Sequence, residues 1–211
     1  MIQSITIDIF SDTICPWCYI GYNKLKSAIN STSKFKFNLV WRPFQLNPNM
    51  PNKGMQRQLY LESKFGGKQK AKDAYKKIYN IGIENNIHFQ FEKIVTTPNS
   101  FASHKLLAIA HRFNKQSSVV EALFYSYFIE GIDIGNIKEL IIIAKQHNIH
   151  DDKTLKYLKS SEDRDSLLAE EMQARELGIK GVPCFIINRK FVLLGAHDKN
   201  KFLDIFNKIS K

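Results

Sequence analysis

The chain has 211 residues, with 31 Lys and Arg against 20 Asp and Glu, a net charge of +11. At roughly 150 residues per domain this is one large domain, or one domain carrying an insertion. A hydrophobic share of 44% with only 10 Gly and 6 Pro supplies a sizeable core and excludes a collagen-like or disordered chain. No apolar run approaches the roughly 20 residues of a membrane helix; the densest are residues 140–144 and 185–187. Residues 1–10 carry no basic leader and alternate rather than forming an apolar block, so a cytoplasmic protein without a secretory signal is expected. Three cysteines, Cys15, Cys18 and Cys184, are too few to staple a fold. In a reducing compartment they point to catalysis, metal binding or burial. The densest basic stretch is Lys64, Lys68, Lys70, Lys72, Lys76 and Lys77, broken by Asp73. No nucleic-acid motif stands beside it, so it reads as a solvated face that attracts small anions, and neither nucleic acid nor membrane is an expected partner.

Residues 4–10 place Ile5, Ile7 and Ile9 on one side with polar residues between, the period-two pattern of a strand. Cys15-Pro16-Trp17-Cys18 follows, and residues 19–30 take helical spacing with Ile20, Leu25, Ala28 and Ile29 on the apolar side. Residues 35–41 form the second predicted strand, alternating Phe35, Phe37, Leu39 and Trp41 with Lys36, Asn38 and Val40. Pro43, Pro48 and Pro51, among several Asn and Gly54, break regular structure and mark the crossing into another layer. Helices are then expected over residues 55–86 with an interruption at Gly66-Gly67, from Pro98 to about Phe113, and over 116–130, 136–147 and 154–158. Asn99 or Ser100 is a natural cap for the second of these, because its side chain accepts an orphan backbone N–H. Residues 161–177 read as a helix with Glu162, Asp163 and Asp165 in its first turn, where negative charge suits the macrodipole, and Gly178 as its stop. Residues 182–187 and 190–194 are strands joined by Asn188-Arg189 alone, which predicts an antiparallel hairpin. Residues 198–208 close the chain as an amphipathic helix.

The order is β-α-β, a long helical block, then α-β-β-α. Without the block, a small α/β domain remains with parallel and antiparallel pairing in one sheet. That is the order of a thioredoxin fold. The expected fold class is therefore α/β, a thioredoxin fold with a large all-helical insertion. Residues 1–46 and 161–211 would form the thioredoxin-like domain and 47–160 the insertion.

A C-x-x-C alone is a weak signal, but here it sits between a strand and a helix. Zinc needs about four ligands, and no second ligand pair is present. Haem attachment needs a His after the second Cys, where Tyr19 stands. His88, His111, His147, His150 and His197 show no ligand spacing, and no metal is expected. A helix N-terminus carries unpaired N–H groups and partial positive charge, which stabilises a thiolate there. Pro16 fits the first helical turn, where its missing N–H costs nothing. Cys15 then reads as the exposed nucleophile and Cys18, one turn deeper, as the resolving thiol, passing through a mixed disulfide. Trp17 reads as part of the exposed rim. Val182-Pro183 precedes the third strand, where a thioredoxin-like fold carries a cis proline facing the two cysteines. A cis bond there would leave the Val182 backbone to pair with an extended substrate.

The segment Ser11-Asp12-Thr13-Ile14-Cys15-Pro16-Trp17-Cys18-Tyr19-Ile20-Gly21 resembles the active-site segment of the DsbA family of thiol-disulfide oxidoreductases, closest to its FrnE-like branch. The resemblance continues through residues 41–48, 99–104, 121–124, 127–131 and 178–183, nearly the whole chain. It implies a thiol-disulfide oxidoreductase acting on disulfide- or thiol-containing proteins or small molecules, with no permanently bound cofactor. The wider family includes 2-hydroxychromene-2-carboxylate isomerases and kappa-class glutathione transferases. From these come an alternative function, a glutathione-dependent isomerase or transferase, and glutathione as a candidate co-substrate. Those relatives use a serine-centred site; Cys15 in its place favours redox exchange.

By the same resemblance, Asn99 and His104 lie on the inserted domain overlooking the cleft, where His104 would help hold a thiolate or a glutathione carboxylate. A polar helix face explains His104 equally well. Asp12 reads either as an acceptor for the Cys18 proton or as a turn residue. Cys184, followed by Phe185, Ile186 and Ile187, reads as an inert buried thiol.

Overall fold

Three alternating isoleucines define the inner face of the central strand. The computed structural model describes residues 3–149 and 152–210, so His150 lies outside the described residues. Strand β1 (Gln3–Ser11) leads into helix α1 (Pro16–Ile29) and strand β2 (Phe35–Pro43). A two-residue strand β3 (Met55–Gln56) precedes α2 (Arg57–Phe65) and α3 (Lys68–Glu84), which Gly66 separates at a φ of 73°. After β4 (Thr96–Thr97), antiparallel to β3, come α4 (Phe101–Arg112), α5 (Gln116–Tyr125), α6 (Ile137–Gln146) and α7 (Asp152–Lys159). Helix α8 (Arg164–Glu176), strands β5 (Cys184–Ile187) and β6 (Phe191–Leu194) and helix α9 (Lys199–Ile209) complete the chain.

The main sheet has the order β2-β1-β5-β6, with β1 parallel to β2 and antiparallel to β5. The antiparallel β5–β6 hairpin forms as expected, but its connection is three residues rather than two: Ile187 pairs with Phe191, leaving Asn188 and Arg189 at φ 49° and 55° and Lys190, whose N–H bonds the Ile187 carbonyl at 3.0 Å. Ile5, Ile7 and Ile9 are buried and stand in register with Phe37, Leu39 and Trp41. Helices α1 and α9 cover that face: Tyr22 meets the Trp41 ring edge-on at 4.8 Å, and Phe202 meets Phe185 at 5.0 Å. On the opposite face Phe10, Phe44, Ala174, Ile179 and Cys184 form a second cluster.

The chain divides into a sheet unit, residues 1–46 and 170–211, and a helical unit, residues 47–169. The second boundary falls inside α8 rather than at residue 161. Arg164 at the start of this helix lies over the Phe101 ring at 5.3 Å, within the helical unit, whereas Ala174 belongs to the sheet-unit core. The helix also starts later than its acidic residues suggest. Glu162 and Asp163 precede it and pair with Arg112 instead. Residues 116–130 are helical as expected, but residues 126–130 widen into a π turn before Gly131 at φ 77°. Among the described residues, no helix is long and apolar enough to cross a membrane.

Candidate active site

The loop leaving β1 turns at once into α1. The Cys15 N–H bonds the Asp12 carbonyl at 3.0 Å, and the Cys18 N–H bonds the Cys15 carbonyl at 3.0 Å. Cys15 is the N-cap of α1 and Pro16 its first residue. Asp12 is fully buried, and its carboxylate accepts from two backbone amides, Leu46 at 2.7 Å and Ile14 at 3.4 Å. That is the turn-holding role: the carboxylate ties the end of β2's following loop to the segment carrying Cys15.

Cys15 is 3% exposed, so it is not the open nucleophile that the sequence suggests. Its sulfur does not cap an α1 amide; the thiol points at the Val182 carbonyl, 3.8 Å away. That carbonyl belongs to the loop before β5. Within that loop the Val182–Pro183 bond is cis. Trp17, between the two cysteines, is 37% exposed.

Cys18 lies in contact with Cys15 and is 1% exposed. Burial holds its thiol well above the ordinary cysteine range, and the neighbouring Cys15 sulfur raises it further. Two donors act the other way, the Ser11 hydroxyl and the backbone N–H of Asp12. Cys184 is buried beside Phe10 across the sheet, and burial alone pushes its thiol up to about 11. All three cysteines are free thiols.

Gly21 sets how closely α1 approaches the proline loop. A Cβ there would stand 2.9 Å from Pro183 Cγ and 3.3 Å from Phe185 Cζ. The signal in the sequence was a glycine inside a helix, which costs about 1 kcal/mol of propensity and so calls for a packing reason.

The structure thus brings Cys15, Pro16, Trp17, Cys18, Val182 and Pro183 together in the sheet unit. Asn99 and His104 belong to the helical unit. The Asn99 amide donates to the Met50 carbonyl at 2.6 Å, and its oxygen accepts from the Phe101 N–H at 2.9 Å, so Asn99 rather than Ser100 caps α4. His104 is buried on α4. Among the described residues, no three His, Cys, Asp or Glu side chains converge to hold a metal ion.

A thiol pair at the head of the first helix, opposite a cis proline, is an arrangement that comparison with known proteins can place. The DSBA-like thioredoxin domain family matches residues 6–207. The chain belongs to that family. As a DsbA-like protein it is a disulfide oxidoreductase. The uncharacterised protein YwbO of Bacillus subtilis strain 168 is 24% identical over 201 residues, covering 95% of this chain and 94% of YwbO. A probable DsbA oxidoreductase from Streptomyces coelicolor superposes with a TM-score of 0.88 at 20% identity, over 97% of this chain and 89% of that one. The cytosolic disulfide reductase DsbM from Pseudomonas aeruginosa, solved with GSH, gives 0.72 at 12% identity, over 98% and 100%.

Proposed function

We propose that this DsbA-like protein exchanges disulfides through Cys15 and Cys18 by way of a mixed disulfide. The observation that carries the reading is Cys15 at the N-cap of α1, its sulfur against the Val182 carbonyl and in contact with the buried Cys18. In the reductive direction the Cys15 thiolate attacks a substrate disulfide, forms a Cys15–substrate disulfide and releases one substrate thiolate. Cys18 then gives up its proton and attacks the Cys15 sulfur. The second substrate thiolate leaves, and Cys15–Cys18 becomes the disulfide. Two electrons have passed to the substrate, and an external thiol such as glutathione restores the pair. The oxidative direction reverses each step.

An arriving substrate strand takes over the Val182 backbone and frees the Cys15 sulfur from its carbonyl. The protein is read as a cytoplasmic member of the FrnE-like branch, acting on protein or small-molecule disulfides. The glutathione-dependent isomerase or transferase reading calls for a serine where Cys15 stands, and no feature of the site favours it.

Reduction of a disulfide substrate by the purified protein tests the proposal. Cys15→Ser abolishes turnover, and Cys18→Ser accumulates mixed disulfides visible by mass spectrometry. Normal turnover by the Cys15→Ser protein overturns it.

A further inference from the structure

The resolving step sets a physical problem. Cys18 must ionise while 1% exposed, next to another sulfur, and both circumstances oppose the charge. Something must meet that charge as it forms.

Ser11 is placed to do so. It is the last residue of β1 and shares the parity of Ile5, Ile7 and Ile9, so it faces the side of the sheet that α1 covers. Cys18 lies on that helix. Ser11 is 4% exposed, and its hydroxyl has no hydrogen-bond partner among the described residues. A buried hydroxyl without a partner is costly and rare. The group it meets is the Cys18 sulfur. A neutral thiol is a weak acceptor; a thiolate is a strong one. The hydroxyl therefore gains its bond only when the negative charge appears, which is how a fixed dipole lowers a barrier rather than merely stabilising the resting state. The Asp12 carboxylate accepts from the Leu46 and Ile14 amides, and the Asp12 backbone N–H is a second donor to the sulfur.

We propose that Ser11 is a catalytic residue of the resolving step, its hydroxyl donating to the Cys18 sulfur as that thiol loses its proton. The assignment rests on the exchange reading given above and assigns a group to its second half.

Reaction with 5,5′-dithiobis(2-nitrobenzoate) separates the two halves. Attack by Cys15 releases one aryl thiolate, and resolution by Cys18 releases the other. A Cys184→Ala background leaves only these two thiols to report. Ser11→Ala leaves the first phase within about twofold and slows the second by about tenfold at neutral pH, the loss of one charge-assisted hydrogen bond. The pH midpoint of the second phase moves upward. Ser11→Thr, which keeps the hydroxyl, keeps the midpoint. If Ser11→Ala does not fold, Ser11→Gly carries the same test. A second phase with an unchanged midpoint in the hydroxyl-free variant overturns the role of Ser11 while leaving exchange intact. A wild-type protein with no second phase overturns both.

Discussion

Lys105 and Ser11 are both buried polar side chains, one in each unit, and they face different kinds of partner. Lys105, on α4, donates to the carbonyls of Tyr157 at 2.6 Å and Ser160 at 2.7 Å, closing the C-terminal end of α7. Elsewhere in the helical unit, Arg57 lies over the rings of Tyr75, Phe91 and Tyr127 at 5.0, 5.7 and 5.9 Å and donates to the Tyr127 hydroxyl. These cations end a helix and stiffen an aromatic cluster. Ser11 and the Asp12 N–H, in the sheet unit, converge instead on a sulfur that changes charge during the proposed reaction. Burial of a polar group does not by itself mark chemistry. A backbone carbonyl or a ring asks for the same interaction in every state of the protein, whereas a titrating sulfur asks for it in only one.

The contrast can be broken by substitutions on either side of it. Gly21→Val should have the largest effect, since added carbon atoms meet Pro183 and Phe185. We expect a loss of about 3 kcal/mol in urea unfolding, together with slower release of both aryl thiolates as α1 is pushed from the proline loop. Lys105→Met should cost about 2 kcal/mol and leave both phases of thiol release unchanged; a fall in exchange by a folded Lys105→Met protein would erase the distinction between the units. Cys184 predicts a pH effect. Its folded thiol titrates at about 11 against an ordinary value of 9.0. The folded state therefore keeps a proton that the unfolded state releases, and this stabilisation, complete below pH 9, is lost as pH rises toward 11. At pH 10 the loss amounts to about 1.4 kcal/mol, and the stability–pH curve of Cys184→Ala should be flatter over that window. Asp12→Asn should have the smallest effect, about 1 kcal/mol, because an amide oxygen still accepts from Leu46 without the charge; thermal unfolding at neutral pH measures it.

What the sequence showed plainly was local. The parity of Ile5, Ile7 and Ile9 marks a strand, Gly66-Gly67 breaks a helix, and a short Asn-Arg link between apolar runs marks an antiparallel hairpin, one residue longer than expected. Cys15-Pro16-Trp17-Cys18 at a strand–helix junction marked the site for the same reason. Distant partners escaped. Glu162 and Asp163 suit a helix start by charge, but Arg112, about fifty residues away in the chain, takes them outside it. The Cys15 thiol faces the Val182 carbonyl, a group that local reasoning assigned to an incoming substrate rather than to the resting thiol. Asn99 caps α4 as its type suggests, but its bond to the Met50 carbonyl had no local signal. Ser11 and Gly21 lie where α1 packs against β1 and the proline loop; strand parity puts Ser11 on the side that α1 covers, but which helix residue it meets is set by tertiary packing.

Helix α8 is a single run of 13 residues, and the unit boundary passes between Ala169 and Glu170 within it. Cutting there leaves two stubs of about two turns each, shorter than a helix that persists in water unaided. Neither part can be excised as a tidy stand-alone fragment, and a graft that borrows the redox half must carry α8 whole from Arg164 onward.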